Sequence, residues 1–209
     1  MNFFTLKYKG KSAEIPYFIH TKTIMSNHHV FIATSLDGYI ADAQGAVHFL
    51  DTYPMPGNSD MGYYAFMDRV DALLMGRKSF ETVLGFGVAW PYTKPVFVWS
   101  QKLQEIPAEL AEKAFLVRGN LYEVEEQIKA KGYTQLYLDG GQVIQSFLQA
   151  DKVSSMTITT IPVLLGNGVR LFGELENPLA FQCVSSTCYE NGMAQQVFER
   201  KPEIHVKMG

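Results

Sequence analysis

LYLDGGQVIQSFL, residues 136–148, is the stretch on which the fold turns. It opens like a buried strand, breaks at Gly140-Gly141, and continues with helical apolar spacing at Val143, Ile144, Phe147 and Leu148. A strand that passes through glycines straight into a helix is the unit from which parallel sheets are wound. The paired glycines allow two readings. They bare backbone N–H groups so that a phosphate can approach a helix start, or they merely permit a tight turn with positive φ.

Two further junctions of this kind lie upstream. In LLMGRKSFETV (73–83) a buried strand ends at Gly76, and Arg77 and Lys78 precede a helix that begins near Ser79. Two cations and a hydroxyl at the positive end of a helix suit a phosphate; a solvated corner with Ser79 as cap is the plain alternative. In VFVWSQK (96–102) a β-rich run ends in Ser100 and Gln101. That is where ligands sit in open α/β sheets, or where a loop is simply capped. Together the three junctions favour a phosphate-bearing cofactor. Gly85-Phe86-Gly87 imitates part of a dinucleotide fingerprint, but it follows a helix and lacks the third glycine.

Outward from these junctions, strand-like runs occupy 29–34, 39–42, 71–76, 95–100, 114–119, 134–140 and 154–165. Residues 181–200 read as a hairpin turning at Asn191-Gly192. Helical spacing recurs at Tyr63, Phe66, Met67 and Val70, at Phe80, Val83 and Leu84, and at Leu121, Val124 and Ile128. Strands alternate with helices and then finish the chain. The order predicts a three-layer α/β fold: a central, mostly parallel sheet, helices on both faces, and an antiparallel C-terminal hairpin.

With 47% hydrophobic and 19% charged residues, 209 residues make one ordinary globular domain, placed at 28–209. Residues 1–27 read as an N-terminal extension the core does not need: a mis-assigned start, an added or poorly ordered segment, or a dimer arm. A net charge of -3 and no Lys/Arg cluster argue against a nucleic-acid partner, and no apolar run reaches membrane-spanning length. Cys183 and Cys188 are five apart, an odd spacing that predicts opposite strand faces, no mutual disulfide and a reducing, cytoplasmic setting. The five histidines show no zinc-like spacing, so no metal is expected.

Two acids stand out. In ATSLDGYIAD (33–42), Asp37 is either a catalytic acid or the maker of an Asp-Gly turn, and the turn is the preferred reading. Asp60 precedes the helical run MGYYAFMDRV, where it is either a substrate-binding acid or a helix N-cap.

ATSLDGYIAD, VDALLMGRKSFETV, GFGVAWPY, LYLDGGQVIQSFL and PVLLGNGVRLF, in this order and spacing, resemble the dihydrofolate-reductase-like superfamily. They are most similar to the group sharing the reductase domain of bacterial riboflavin-biosynthesis deaminase-reductases. The resemblance covers roughly residues 28–200. It implies a sheet of about eight strands, NADPH as hydride donor and a homodimer. It assigns Gly76 and Arg77 to the adenosine 2′-phosphate, Lys78 and Ser79 to the phosphates, and Ser100 and Gln101 to the 2′-phosphate side. Gly140 and Gly141 would lie under the pyrophosphate and nicotinamide, joined by a cis bond, with Gln142, Val143 and Ile144 at the helix start. Ala33 would face the carboxamide.

The implied activity is hydride transfer to a C=N or C=O of a pterin- or pyrimidine-like molecule, as in 5-amino-6-(5-phosphoribosylamino)uracil reductases. A true dihydrofolate reductase and a non-catalytic nucleotide-binding protein are the alternatives. Riboflavin enzymes share the SLDG of Ser35–Gly38 but often carry a lysine where this chain has Phe31. Asp60 lies about where folate enzymes place their acid, without their usual Leu-Pro-x-Asp-Leu context. The expected cleft walls are Ser35, Leu36, Val47, Phe49, Tyr63, Phe66 and Trp90, with His48 as a further candidate.

Overall fold

The structure, a computed structural model, describes residues 27–53, 56–57 and 59–201 and, as strand backbone only, residues 3–8, 11–21 and 204–208. In chain order the elements are β1 (Phe3–Tyr8), β2 (Lys11–Thr21), β3 (His28–Ser35), β4 (Tyr39–Ala41), α1 (Tyr63–Met67), β5 (Ala72–Gly76), α2 (Arg77–Gly85), β6 (Val96–Trp99) and β7 (Ala114–Val117). There follow α3 (Leu121–Lys129), β8 (Leu136–Asp139), α4 (Gly141–Gln149), β9 (Ser155–Ile161), β10 (Val169–Arg170), β11 (Phe181–Cys188), β12 (Ala194–Arg200) and β13 (Ile204–Met208). Single 3-10 turns occupy His48–Leu50 and Ala108–Leu110.

Eight strands form one sheet in the order β11-β12-β9-β3-β8-β5-β6-β7. From β9 to β7 every pairing is parallel. β12 runs antiparallel to both β9 and β11, which makes the C-terminal hairpin. β4 and β10 form a separate antiparallel pair, and β1, β2 and β13 a three-stranded antiparallel sheet. The extension placed at 1–27 thus supplies two strands of that small sheet.

Side-chain alternation divides the core. Leu74, Phe97, Leu136 and Leu138 pack under Val124 and Ile128 of α3 and Val143, Ile144, Phe147 and Leu148 of α4. Leu73, Met75, Val96, Val98 and Tyr137 point the other way, against Phe66 and Met67 of α1 and Phe80 of α2. The strands are apolar on both faces because helices cover both, as parallel sheets require. Each fully buried Leu or Phe contributes roughly 1.5–3 kcal/mol by leaving water.

Two features of the hairpin matter later. Arg200, whose side chain is 1% exposed, closes β12 onto the α4–β9 connection through a forked pair with Asp151 (2.7 and 3.1 Å), and donates to the carbonyl of Ala180 at 2.9 Å. On β11 the register slips between Cys183 and Ser185. Cys183 then pairs with Phe198 and Cys188 with Ala194, partners an even number apart, so the bulge cancels the odd spacing and the opposite-face expectation fails. Both cysteines are free thiols and exposed.

Because β3, β5, β6, β8 and β9 are parallel, their C-terminal ends at Ser35, Gly76, Trp99, Asp139 and Ile161 lie along one sheet edge. Ligands of open α/β sheets sit at that edge.

Candidate active site

Two concavities open at this edge. The first, a groove of about 570 Å³, is lined by Gly76, Arg77 and Lys78, by Trp99, Ser100, Gln101 and Lys102, and by Gln142, Val143, Gln145, Ser146 and Gln149. All three junctions singled out in the sequence converge here. α2 and α4 both begin at the groove, after Gly76 and Gly140, and neither N-terminus has a side-chain cap. α3, elsewhere, has a full capping box from Asn120 and Glu123. The groove therefore joins uncapped N–H donors, two helix dipoles and three cations, a donor set suited to a phosphate chain.

Gly140, Gly141 and Ser79 stand behind the groove wall and do not line it, and internal packing is what requires the two glycines. Gly140 sits at φ 86, ψ 142, and a β-carbon there would collide with the Ser79 hydroxyl. At Gly141 a β-carbon would press to 3.2 Å on the Arg170 carbonyl and on Ile40. No peptide bond among the described residues is cis, so the Gly140–Gly141 bond is trans, against expectation. Gly140 makes the turn through its positive φ instead.

Residues that line the groove carry local duties as well. Arg77 forms an i,i+4 pair with Glu81 at 2.6 Å. The Ser100 hydroxyl accepts from the N–H groups of Lys102 and Leu103, and Gln101 donates to the Gly119 carbonyl. The capped loop and the groove wall thus coexist at Ser100. Ile144 is fully buried in the core behind the groove and does not line it.

The second concavity, a cleft of about 520 Å³, is mostly apolar. Phe31, Ile32 and Ala33 of β3, Thr159 and Ile161 of β9 and Met193 of the hairpin form its floor; Leu50, Asp51, Tyr53, Asp60, Met61 and Tyr63 close it. Ala33, which the resemblance sets against the nicotinamide carboxamide, lines this cleft and not the cationic groove. Of the expected walls only Tyr63 lines it. Phe49 is buried beneath, with Met61, Ile161 and Met193. Phe66 is core, 5.0 Å from Phe31 and from Tyr137. Trp90 stacks edge-on with Phe80 and Tyr92. Ser35 is buried in its own turn, Leu36 is 61% exposed, Val47 leads the His48–Leu50 turn, and His48 points into solvent. Apolar spacing marks a residue as facing something, and here that something is the core.

The two acids chosen from sequence have structural work. Asp37 accepts from the Ser35 hydroxyl at 2.6 Å and from the N–H groups of Leu165 and Gly166, pinning the β3–β4 turn to the loop after β9. Those bonds, the Ser35 hydroxyl first, draw its carboxyl down to about 2. Asp60 accepts from the N–H groups of Tyr64 and Gly62, which hold it below the usual carboxylate range. It caps α1 and at the same time lines the cleft, as an anion that accepts but does not supply a proton.

Asp139 is the acid that sequence reasoning passed over. It ends β8, between β3, which brings Ala33 to the cleft, and β5, which brings Gly76 to the groove. Burial pushes its carboxyl up to about 6, against the stabilising N–H of Gly140. Burial, and then the charge of Asp139, raise the hydroxyls of Tyr63, Tyr92 and Tyr137. Asp139 lines neither concavity, but a carboxyl raised toward neutrality at the strand end between them is the candidate for proton transfer. Its signal was present in LYLDGG, as an acid in a run otherwise apolar.

The profile of the RibD C-terminal domain family matches residues 29–195. YwjB of Bacillus subtilis (strain 168) is 32% identical over 149 residues, covering 71% of this chain and 83% of its own length. YyaP of the same organism is 26% identical over 183 residues, with 80% and 91% covered. A crystal structure of a protein from Shewanella sp. PV-4, with a proposed role in riboflavin biosynthesis, is similar with a TM-score of 0.79 at 47% identity. That likeness covers 85% of this chain and 99% of the other. A diaminohydroxyphosphoribosylaminopyrimidine deaminase/5-amino-6-(5-phosphoribosylamino)uracil reductase from Thermotoga maritima has the same fold, with a TM-score of 0.60 at 14% identity over 84% of this chain and 57% of that one. The dihydrofolate-reductase-like architecture expected from the motifs is the one these proteins share. The chain belongs to the RibD C-terminal domain family.

Proposed function

We propose that this chain is an NADPH-dependent reductase of the riboflavin-biosynthesis type in fold and cofactor, acting on a C=N or C=O of a pterin- or pyrimidine-like molecule. The observation that carries the reading is the pairing of a cationic groove with an apolar cleft on either side of the β8 end. Arg77, Lys78 and Lys102 with the N-termini of α2 and α4 fit a dinucleotide bearing a 2′-phosphate. The bound dinucleotide supplies hydride. The cleft holds a flat ring against Phe31 and Tyr63 and sheds water around it. Asp139 holds the proton that the reduced nitrogen or oxygen takes up.

Equilibrium titration with NADPH and NADH tests the cofactor. Arg77→Ala should weaken NADPH by about 10-fold or more, the worth of one charge-assisted contact, and leave NADH within about 2-fold; equal losses would remove Arg77 from the 2′-phosphate. The proton role is read from pH. kcat/KM should fall as pH rises through about 6, where Asp139 loses its proton, and Asp139→Asn should erase that limb. A wild-type profile flat from pH 5 to 8 would exclude Asp139 as donor.

Asp60 supports one second reading, a dihydrofolate reductase, because an ionised carboxylate lines the cleft. Asp60→Asn should then abolish turnover of dihydrofolate, and an inactive wild type on dihydrofolate ends the idea.

A further inference from the structure

We infer that the cleft selects a planar heterocycle that carries no phosphate and offers N–H donors to carboxylates. The inference rests on the reductase reading only for what happens after binding. Every residue lining the cleft comes from three segments, 28–68, 155–168 and 181–199. No lysine or arginine is among the described residues that line the cleft, while the segments carry Asp37, Asp42, Asp51, Asp60, Asp68, Glu190 and Glu199; Arg69, Arg170 and Arg200 lie just beyond them. Two of these acids, Asp51 and Asp60, stand in the cleft wall itself. The groove across the β8 end has the opposite sign, with Arg77, Lys78 and Lys102.

A phosphate monoester is held by cations or by several convergent N–H groups. Several polar donors at the cleft are already engaged. The Gly62 and Tyr64 N–H groups at the start of α1 are taken by Asp60. The Gln195 amide, beneath Met61, donates to the Met61 carbonyl and the Thr159 hydroxyl. A dianion entering here would meet two carboxylates and give up its hydration without replacement. An aromatic ring with exocyclic amino or ring N–H groups meets the reverse situation: the aromatic wall of Phe31 and Tyr63, packed edge-on with ring centroids 5.6 Å apart, and carboxylate acceptors at the rim.

A matched pair separates the possibilities: 5-amino-6-ribosylaminouracil and its 5′-phosphate. Calorimetry on the full chain without cofactor measures binding of each, and NADPH oxidation measures turnover. The phosphate-free compound should bind about 10-fold more tightly at low salt, the scale of one like-charge encounter at partial solvent exposure. Raising salt to about 0.5 M should narrow the gap, as should the Asp51→Asn/Asp60→Asn double variant. Equal or tighter binding of the 5′-phosphate, a gap that ignores both salt and the double variant, or no binding of either compound overturns the inference. If the preference holds while NADPH fails to bind the groove, the reductase reading falls and the cleft's selectivity stands.

Discussion

Asp139 and Asp37 are both strand-end acids, yet their surroundings move them in opposite directions. Asp139 loses water and gains one backbone N–H, so its carboxyl rises to about 6. Ionising it costs the folded state more than the unfolded one, and stability falls as pH rises from about 4 through about 6. Asp139→Asn should therefore raise the melting temperature at pH 8, by at most about 3 kcal/mol of unfolding free energy, and change little at pH 3.5, where both states are protonated. Thermal unfolding of the two proteins at both pH values checks this. Asp37 gains three partners and loses little water, so it is stabilising above its ordinary value and fails only as pH drops through about 2. The Asp-Gly turn was readable from DG between apolar runs. The elevation of Asp139 was not, because it comes from burial, which depends on how neighbouring strands and helices close over the β8 end and not on the residues beside it in sequence.

The strand-to-helix junction is the element on which the proposed cofactor site rests. At Gly76-Arg77 and at Gly140-Gly141 the glycine ends the strand or makes the turn, and the helix begins at once with free N–H groups. Gly140→Ala should cost about 1–3 kcal/mol from its positive φ alone, read by urea unfolding. Replacing Ser79 with Gly in that background should recover the steric part and leave the backbone part. These junctions were legible because glycine, cation and helix start are all local in sequence. The cleft walls were less so. Phe66 and Tyr63 share one helical face by spacing, yet Tyr63 reaches the opening while Phe66 packs between Phe31 and Tyr137. Periodicity shows that a helix has an apolar face and leaves open which residues on it stand at the rim.

At the scale of the whole chain, strand identity and the parallel centre with its antiparallel hairpin followed from the order of apolar runs. Strand adjacency did not: β8 inserts between β3 and β5, and this alone puts Asp139 between groove and cleft. The hairpin that completes the cleft through Met193 is held at its far end by Arg200 and Asp151. Asp151→Ala should destabilise the protein by about 3–5 kcal/mol, because it takes the forked carboxylate from a buried guanidinium; a chemical denaturation midpoint unmoved by the change would show that the other contacts of Arg200 suffice. The Asp37 pin gives the molecule one more property. It joins the β3–β4 turn to the loop after β9, just outside the cleft, with a carboxylate that stays ionised down to about pH 2, whereas Asp139 changes state at about 6. Mild acidification therefore changes the charge at the β8 end while this pin between the two loops stays in place. In a pH–rate profile of the proposed reductase, a limb near 6 would therefore not come from release of this pin.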